Sequence, residues 1–108
     1  MVAVGNNAGG AVTSGDFCTL IGGKAGDSLT GNDSNYNLLL GYEAGENITT
    51  GAGNVIVGSV DAGSATGDRQ LLITGNDGST ATTWISGSSA GVVTLNAANV
   101  TQQALTSS

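Results

Sequence analysis

A glycine-led hexapeptide returns along this chain at a nearly fixed spacing, and that return limits what it can fold into. Val4-Gly5-Asn6-Asn7-Ala8-Gly9 recurs as Ile21-Gly22-Gly23-Lys24-Ala25-Gly26 and as Leu40-Gly41-Tyr42-Glu43-Ala44-Gly45. A looser copy stands at Val57-Gly58-Ser59-Val60-Asp61-Ala62-Gly63, and a worn one at Ile73-Thr74-Gly75-Asn76-Asp77-Gly78. The leading glycines 5, 22, 41, 58 and 75 are 17, 19, 17 and 17 residues apart, and Gly15, Gly31, Gly51 and Gly67 follow the first four. Self-similarity at a short fixed period is the mark of stacked coils, each burying its apolar edge against its neighbours.

One coil can be read as geometry. Short aliphatic runs (Phe17 to Ile21, Tyr36 to Leu40, Asn54 to Val57, Gln70 to Ile73) end in glycine, as a buried strand does before a turn. Gly-x-x-Ala-Gly is then a corner: glycine admits close backbone approach, and alanine fits where a larger side chain would strike the next coil. Thr/Ser-Gly pairs mark a second turn, leaving room for two short strands per coil. The extra residues of Asn32-Asp33-Ser34-Asn35 and of Ser59-Val60-Asp61 are expected in outward loops. Thr82 to Gly87 and Val92 to Leu95 read as two last strands, with Trp84 as a plug for the open end of the stack. The expectation is an all-β chain of short β-solenoid or β-roll coils. Residues 1–78 form the array, 79–96 the terminal strands around Trp84, and 97–108 a short helix or frayed tail.

Composition narrows the function. Of 108 residues 19 are glycine, none is proline or histidine, and the formal charge is −6 with only Lys24 and Arg69 positive. Nucleic acid needs a basic surface, so it is not an expected partner; an anionic membrane is disfavoured for the same reason. No apolar run approaches a membrane span, and Met1 to Gly5 lacks the pattern of a secretory leader. Without histidine there is no imidazole chemistry, and the aspartates stand beside turns where they serve local hydrogen bonding. No catalytic residue, metal or cofactor is expected. Asn32-Asp33-Ser34-Asn35 and Asn76-Asp77-Gly78 are oxygen-rich, but neither has the spacing of a known calcium loop. Cys18, alone within Phe17-Cys18-Thr19-Leu20-Ile21, reads as a buried, inert thiol.

With only Phe17, Tyr36, Tyr42 and Trp84 aromatic, one chain buries a thin core. The expected remedy is a parallel homotrimer around an axis lined by Leu20, Ile21, Leu39, Leu40, Ile56, Val57, Leu72 and Ile73.

The units Asn54-Val55-Ile56-Val57-Gly58 and Gly41 to Gly51 resemble the N-x-x-I-G-x-x-A-G-x-x-x-T-x-G arrays of bacteriophage tail-fibre and virion structural proteins, notably of cyanophages. Asp68-Arg69-Gln70-Leu71-Leu72-Ile73 followed by Thr83-Trp84-Ile85-Ser86-Gly87 is similar to the segment that often follows such arrays. The resemblance covers roughly residues 2–90 and departs from the pattern near Gly58 and Gly75. It implies a homotrimeric β-rich shaft or tip on a virion, able to contribute to host recognition through a surface glycan or protein receptor. On that reading the binding residues are sought on irregular parts: Asn32, Asp33, Tyr36, Tyr42 and Trp84. Other readings are a bacterial trimeric surface adhesin or other extracellular β-solenoid, and an ice- or carbohydrate-binding solenoid with a threonine face.

Overall fold

The computed structural model describes residues 1–14 and 17–96; the tail expected over 97–108 lies outside the described residues. The fold is all-β, a β-solenoid closed by a hairpin. Strands β1 (Val2–Val4), β2 (Thr19–Ile21), β3 (Leu38–Leu40), β4 (Val55–Val57), β5 (Leu71–Asn76), β6 (Ala81–Gly87) and β7 (Val93–Leu95) form one sheet in chain order. The first five strands are parallel, so each connection is one full coil. The last two pair antiparallel, ending the stack with a meander.

The leading glycines work by closeness. A Cβ on Gly22 would run into the Gly41 carbonyl, and one on Gly41 would stand 2.9 Å from the Gly58 carbonyl oxygen. Both also sit at positive φ, 133° and 136°. No side chain fits between coils that approach this closely. The corner alanines Ala25 and Ala44 are fully buried, as expected of residues facing the adjacent coil.

Each coil carries one regular strand rather than two. Around Thr30, Thr49 and Ala65 the coils are joined by isolated backbone hydrogen bonds, Thr30 N–H to Thr49 C=O at 3.0 Å and Thr49 N–H to Ala65 C=O at 2.9 Å. The glycine turns leave too little extended chain there for a ladder.

The fourth coil is also shorter than its glycines suggest. Val57 pairs with Ile73, so Gly58 faces Thr74, and Gly75 falls one place beyond the glycine column. Val60 C=O receives the Gly45 N–H, the role Ala44 C=O plays for Gly26 one coil earlier. The corner after Gly58 has therefore lost a residue where an insertion was expected. Thr74 can stand at the fifth position because the chain there continues straight into the hairpin instead of turning.

The strand residues divide between two faces. Leu20, Leu39 and Ile56 are completely buried inside the coil, packed with Leu29, Ile48 and the corner alanines. Ile21, Leu40, Val57 and Ile73 point outward, because successive side chains of a strand alternate. The eight residues expected on one shared axis are thus split. Half of them belong to the interior of the single chain.

A column of amides runs beside the core. Asn37 Oδ1 accepts from Asn54 N–H (2.9 Å) and Asn54 Nδ2 (3.1 Å). Asn54 Oδ1 accepts in turn from Gln70 N–H (2.9 Å) and Gln70 Nε2 (3.0 Å). Cys18 occupies the same column one coil earlier, where its buried thiol donates to the Ser34 carbonyl.

Candidate functional site

The sequence candidates fall into three separate places. Asn32 and Asp33 are exposed on the inserted loop, but the loop is tied down: Ser34 is buried, donates from Oγ to Gly31 C=O at 2.7 Å, and lends its own carbonyl to Asn37 Nδ2. Asn32 Oδ1 accepts from the Ser14 hydroxyl. Beside this loop, at the entry corner of the strands, Tyr36 stacks on Phe17 with ring centroids 5.2 Å apart and planes 7° from parallel. Both rings are about two-thirds exposed, 66% and 62%.

Tyr42 stands at the exit corner, on the far side of the strand from Tyr36. Its ring edge lies over Gly23, where a Cβ would meet Cδ2 at 3.3 Å. The Tyr42 hydroxyl, hydrogen-bonded to Glu43, holds that carboxyl below its ordinary value of 4.5, and Lys24 acts in the same direction. Glu43 raises Tyr42 above 10.0. Lys24 Nζ reaches Glu43 at 3.3 Å and Glu46 at 3.8 Å, and these contacts raise it above 10.5, the Glu43 hydrogen bond most.

Trp84 is not sealed inside the end of the stack. It sits at the register shift between β5 and β6, laid over Gly75 and still about half exposed. Gly75 leaves the space the indole covers. The nearby Asn76–Thr80 loop is turn chemistry, as its sequence suggested: Asp77 Oδ1 accepts from the backbone N–H groups of Thr80 (2.7 Å) and Ser79 (2.8 Å). Those two bonds hold its carboxyl below the ordinary 3.8, Thr80 first.

Among the described residues no three His, Cys, Asp or Glu side chains gather as a metal cluster, and no helix is long and apolar enough to cross a membrane. An apolar hollow of about 420 Å³ lies between Gly63–Leu72 and Ser86–Ser89 at the end of β6.

A continuous surface feature is the outward face of the sheet. Val2 and Val4, then Ile21, Leu38 and Leu40, Val55 and Val57, Leu71 and Ile73 occupy it along β1–β5. Pairing extends it through Ile85, Val93 and Leu95. Thr19 interrupts the aliphatic pattern among the parallel strands, Gly75, Thr82 and Gly87 interrupt it in the hairpin, and no outward strand position carries a charge. Sequence reasoning named part of this stripe but did not separate it from the core. It also missed Phe17 as a partner for Tyr36, although both stand two residues before a strand.

Fold and surface together define a single-chain β-solenoid with one uncovered apolar sheet face. Comparison with protein-family models, with curated proteins and with solved structures finds no match to this chain.

Proposed function

We propose that this chain is a structural segment of a virion fibre, of the tail-fibre kind, in which three copies pack in parallel and the exposed corners contribute to recognition of a host surface. The observation that carries the reading is the apolar outer face. Parallel sheets are normally covered on both faces, and here the coil covers only one; Val2, Val4 and Ile21 remain 54%, 56% and 43% exposed. A patch this continuous on a chain of net charge −6 calls for a partner that is equally apolar and repeats at the same strand spacing. A second copy of the chain meets both conditions.

Three copies suit the shape better than two. Seven strands at about 4.8 Å make a stripe roughly 30 Å long and two side chains wide, on the order of 300 Å² per chain. Two such stripes face to face fall short of the roughly 1,200 Å² of a stable interface. Around a three-fold axis each stripe meets two neighbours and draws in its flanks. The resemblance of the corner repeats to phage arrays supports assigning such a fibre to a virion.

Light scattering after gel filtration tests the assembly. A mass three times 10.4 kDa is expected, falling to the monomer when Leu40→Glu and Val57→Glu are combined. A monomeric parent protein at micromolar concentration would overturn the reading.

A further inference from the structure

The entry corner of the strands holds a column that neither the core nor the sheet face uses. Thr19, Leu38, Val55 and Leu71 are aligned by strand pairing, so the residues two places before them, Phe17, Tyr36, Gly53 and Arg69, follow one another along the stack. Backbone hydrogen bonds keep the column in step: Gly53 N–H donates to Asn35 C=O and Arg69 N–H to Ala52 C=O, both at 2.9 Å. The order is ring, ring, gap, guanidinium.

We infer that this column is a binding site for a saccharide bearing a carboxylate or sulfate, its ring seated on Tyr36 in the layer left empty by Gly53 and its anionic group on Arg69. Phe17 takes one face of the Tyr36 ring, and the other face looks along the column. In the next layer Gly53 supplies no side chain, and a Cβ there would have only Arg69 Cγ within 4 Å, at 3.4 Å. The Tyr36 and Arg69 layers are two strand spacings apart, roughly 9–10 Å, which admits one flat ring between them.

The chemistry selects the ligand class. An exposed aromatic face receives the C–H face of a pyranose, an apolar plane edged by hydroxyls. A nucleic acid would also stack its bases, but it brings a phosphate with every nucleotide to a chain with eight acids and two bases, whereas a saccharide can bring a single anionic group to Arg69 alone. Arg69 is free for a ligand: among the described residues the ion pairs are those of Lys24, and a guanidinium binds carboxylate or sulfate with a two-point fork. This inference rests on the adhesive part of the fibre reading and gives it a ligand.

Saturation-transfer NMR on the full chain, with methyl glucuronide and methyl glucoside as probes, tests it. Transfer to both sugars is expected, with the glucuronide bound several-fold more tightly. Tyr36→Asn, a residue suited to the φ of 62° at that corner, should abolish both signals. Gly53→Asn should do the same by filling the slot. Arg69→Gln should erase the preference for glucuronide and leave glucoside binding in place. Absence of transfer in the parent protein, or transfer that survives both Tyr36→Asn and Gly53→Asn in folded protein, overturns the site. So does a fall in oligomer mass on Tyr36→Asn with binding intact, since the column would then be a contact between copies. A monomeric parent that still binds glucuronide through Tyr36 would sink the fibre reading and leave this site standing.

Discussion

The side-chain carbonyl of Asn37 takes two hydrogen bonds from Asn54, one from its backbone N–H at 2.9 Å and one from its amide at 3.1 Å. Both residues are buried, and Asn54 repeats the arrangement toward Gln70. A strand this short makes few ladder bonds, so the amide column supplies the register that a longer strand would supply by itself. The asparagine of the N-x-x-I-G unit is thus a bolt between coils.

Asn54→Ala keeps the backbone N–H bond to Asn37 but removes the amide donor beside it and the acceptor for the Gln70 N–H. An inner N–H left unpaired costs about 1–3 kcal/mol, so urea unfolding should lose at least about 1 kcal/mol. Thr30→Ala, at an exposed turn position, should lose less than about 0.5 kcal/mol by the same measurement. Equal effects would show the column to be incidental.

The corner alanine makes a second test. Ala44 has no exposed surface and faces the coil interior, so Ala44→Leu should overpack it and cost roughly 1–3 kcal/mol. A thermal midpoint equal to the parent's would mean that the corner yields without strain.

Glycine substitutions separate closeness from conformation. Gly22 and Gly91 both have positive φ, 133° and 82°. A Cβ at Gly22 strikes the next coil's backbone, whereas one at Gly91 meets nothing within 4 Å. Gly22→Ala should leave little folded protein by circular dichroism. Gly91→Ala should fold, with a destabilisation of about 1 kcal/mol from its backbone alone.

The response to pH follows from the shifted groups. Glu43 and Asp77 have depressed folded values, so their contribution is present above the ordinary 4.5 and 3.8 and is lost as pH falls through the folded values. Lys24 is raised, so its contribution is present below 10.5 and is lost as pH climbs through its folded value. Thermal midpoints should therefore be level near neutrality and decline at both extremes. Asp77 is exposed and the Lys24 and Glu43 side chains keep 44% and 34% of their surface open to solvent, which keeps the effect small and makes it weaken with salt. Glu43→Gln should blunt the acid and the alkaline decline together, because Glu43 is the main partner raising Lys24. An unchanged alkaline limb would assign that decline to other groups.

How far each part was legible depends on how local its cause is. The corners could be read directly: a residue pinned between two backbones must be glycine, and one facing the next coil's interior must be small, so Gly22, Gly41, Ala25 and Ala44 declare themselves. Cys18 was legible as a buried thiol from its aliphatic neighbours. Asn37 and Asn54 were not, because asparagine before a strand serves a turn equally well, and only stacking shows its amide facing another. The worn fifth repeat misled for a related reason. Glycine at 75 continues the count, but strand pairing places Thr74 opposite Gly58.

The sequence alone determined that the chain is a β stack with turns at the glycines, since periodicity and steric demand act within one coil and its copy. Which strand residues face the core and which face out depends on the side toward which the coil closes. Whether Tyr36 stands alone or stacks on Phe17 depends on the register of two strands 19 residues apart. Tertiary structure decided both, because each is a relation between coils that no single coil contains.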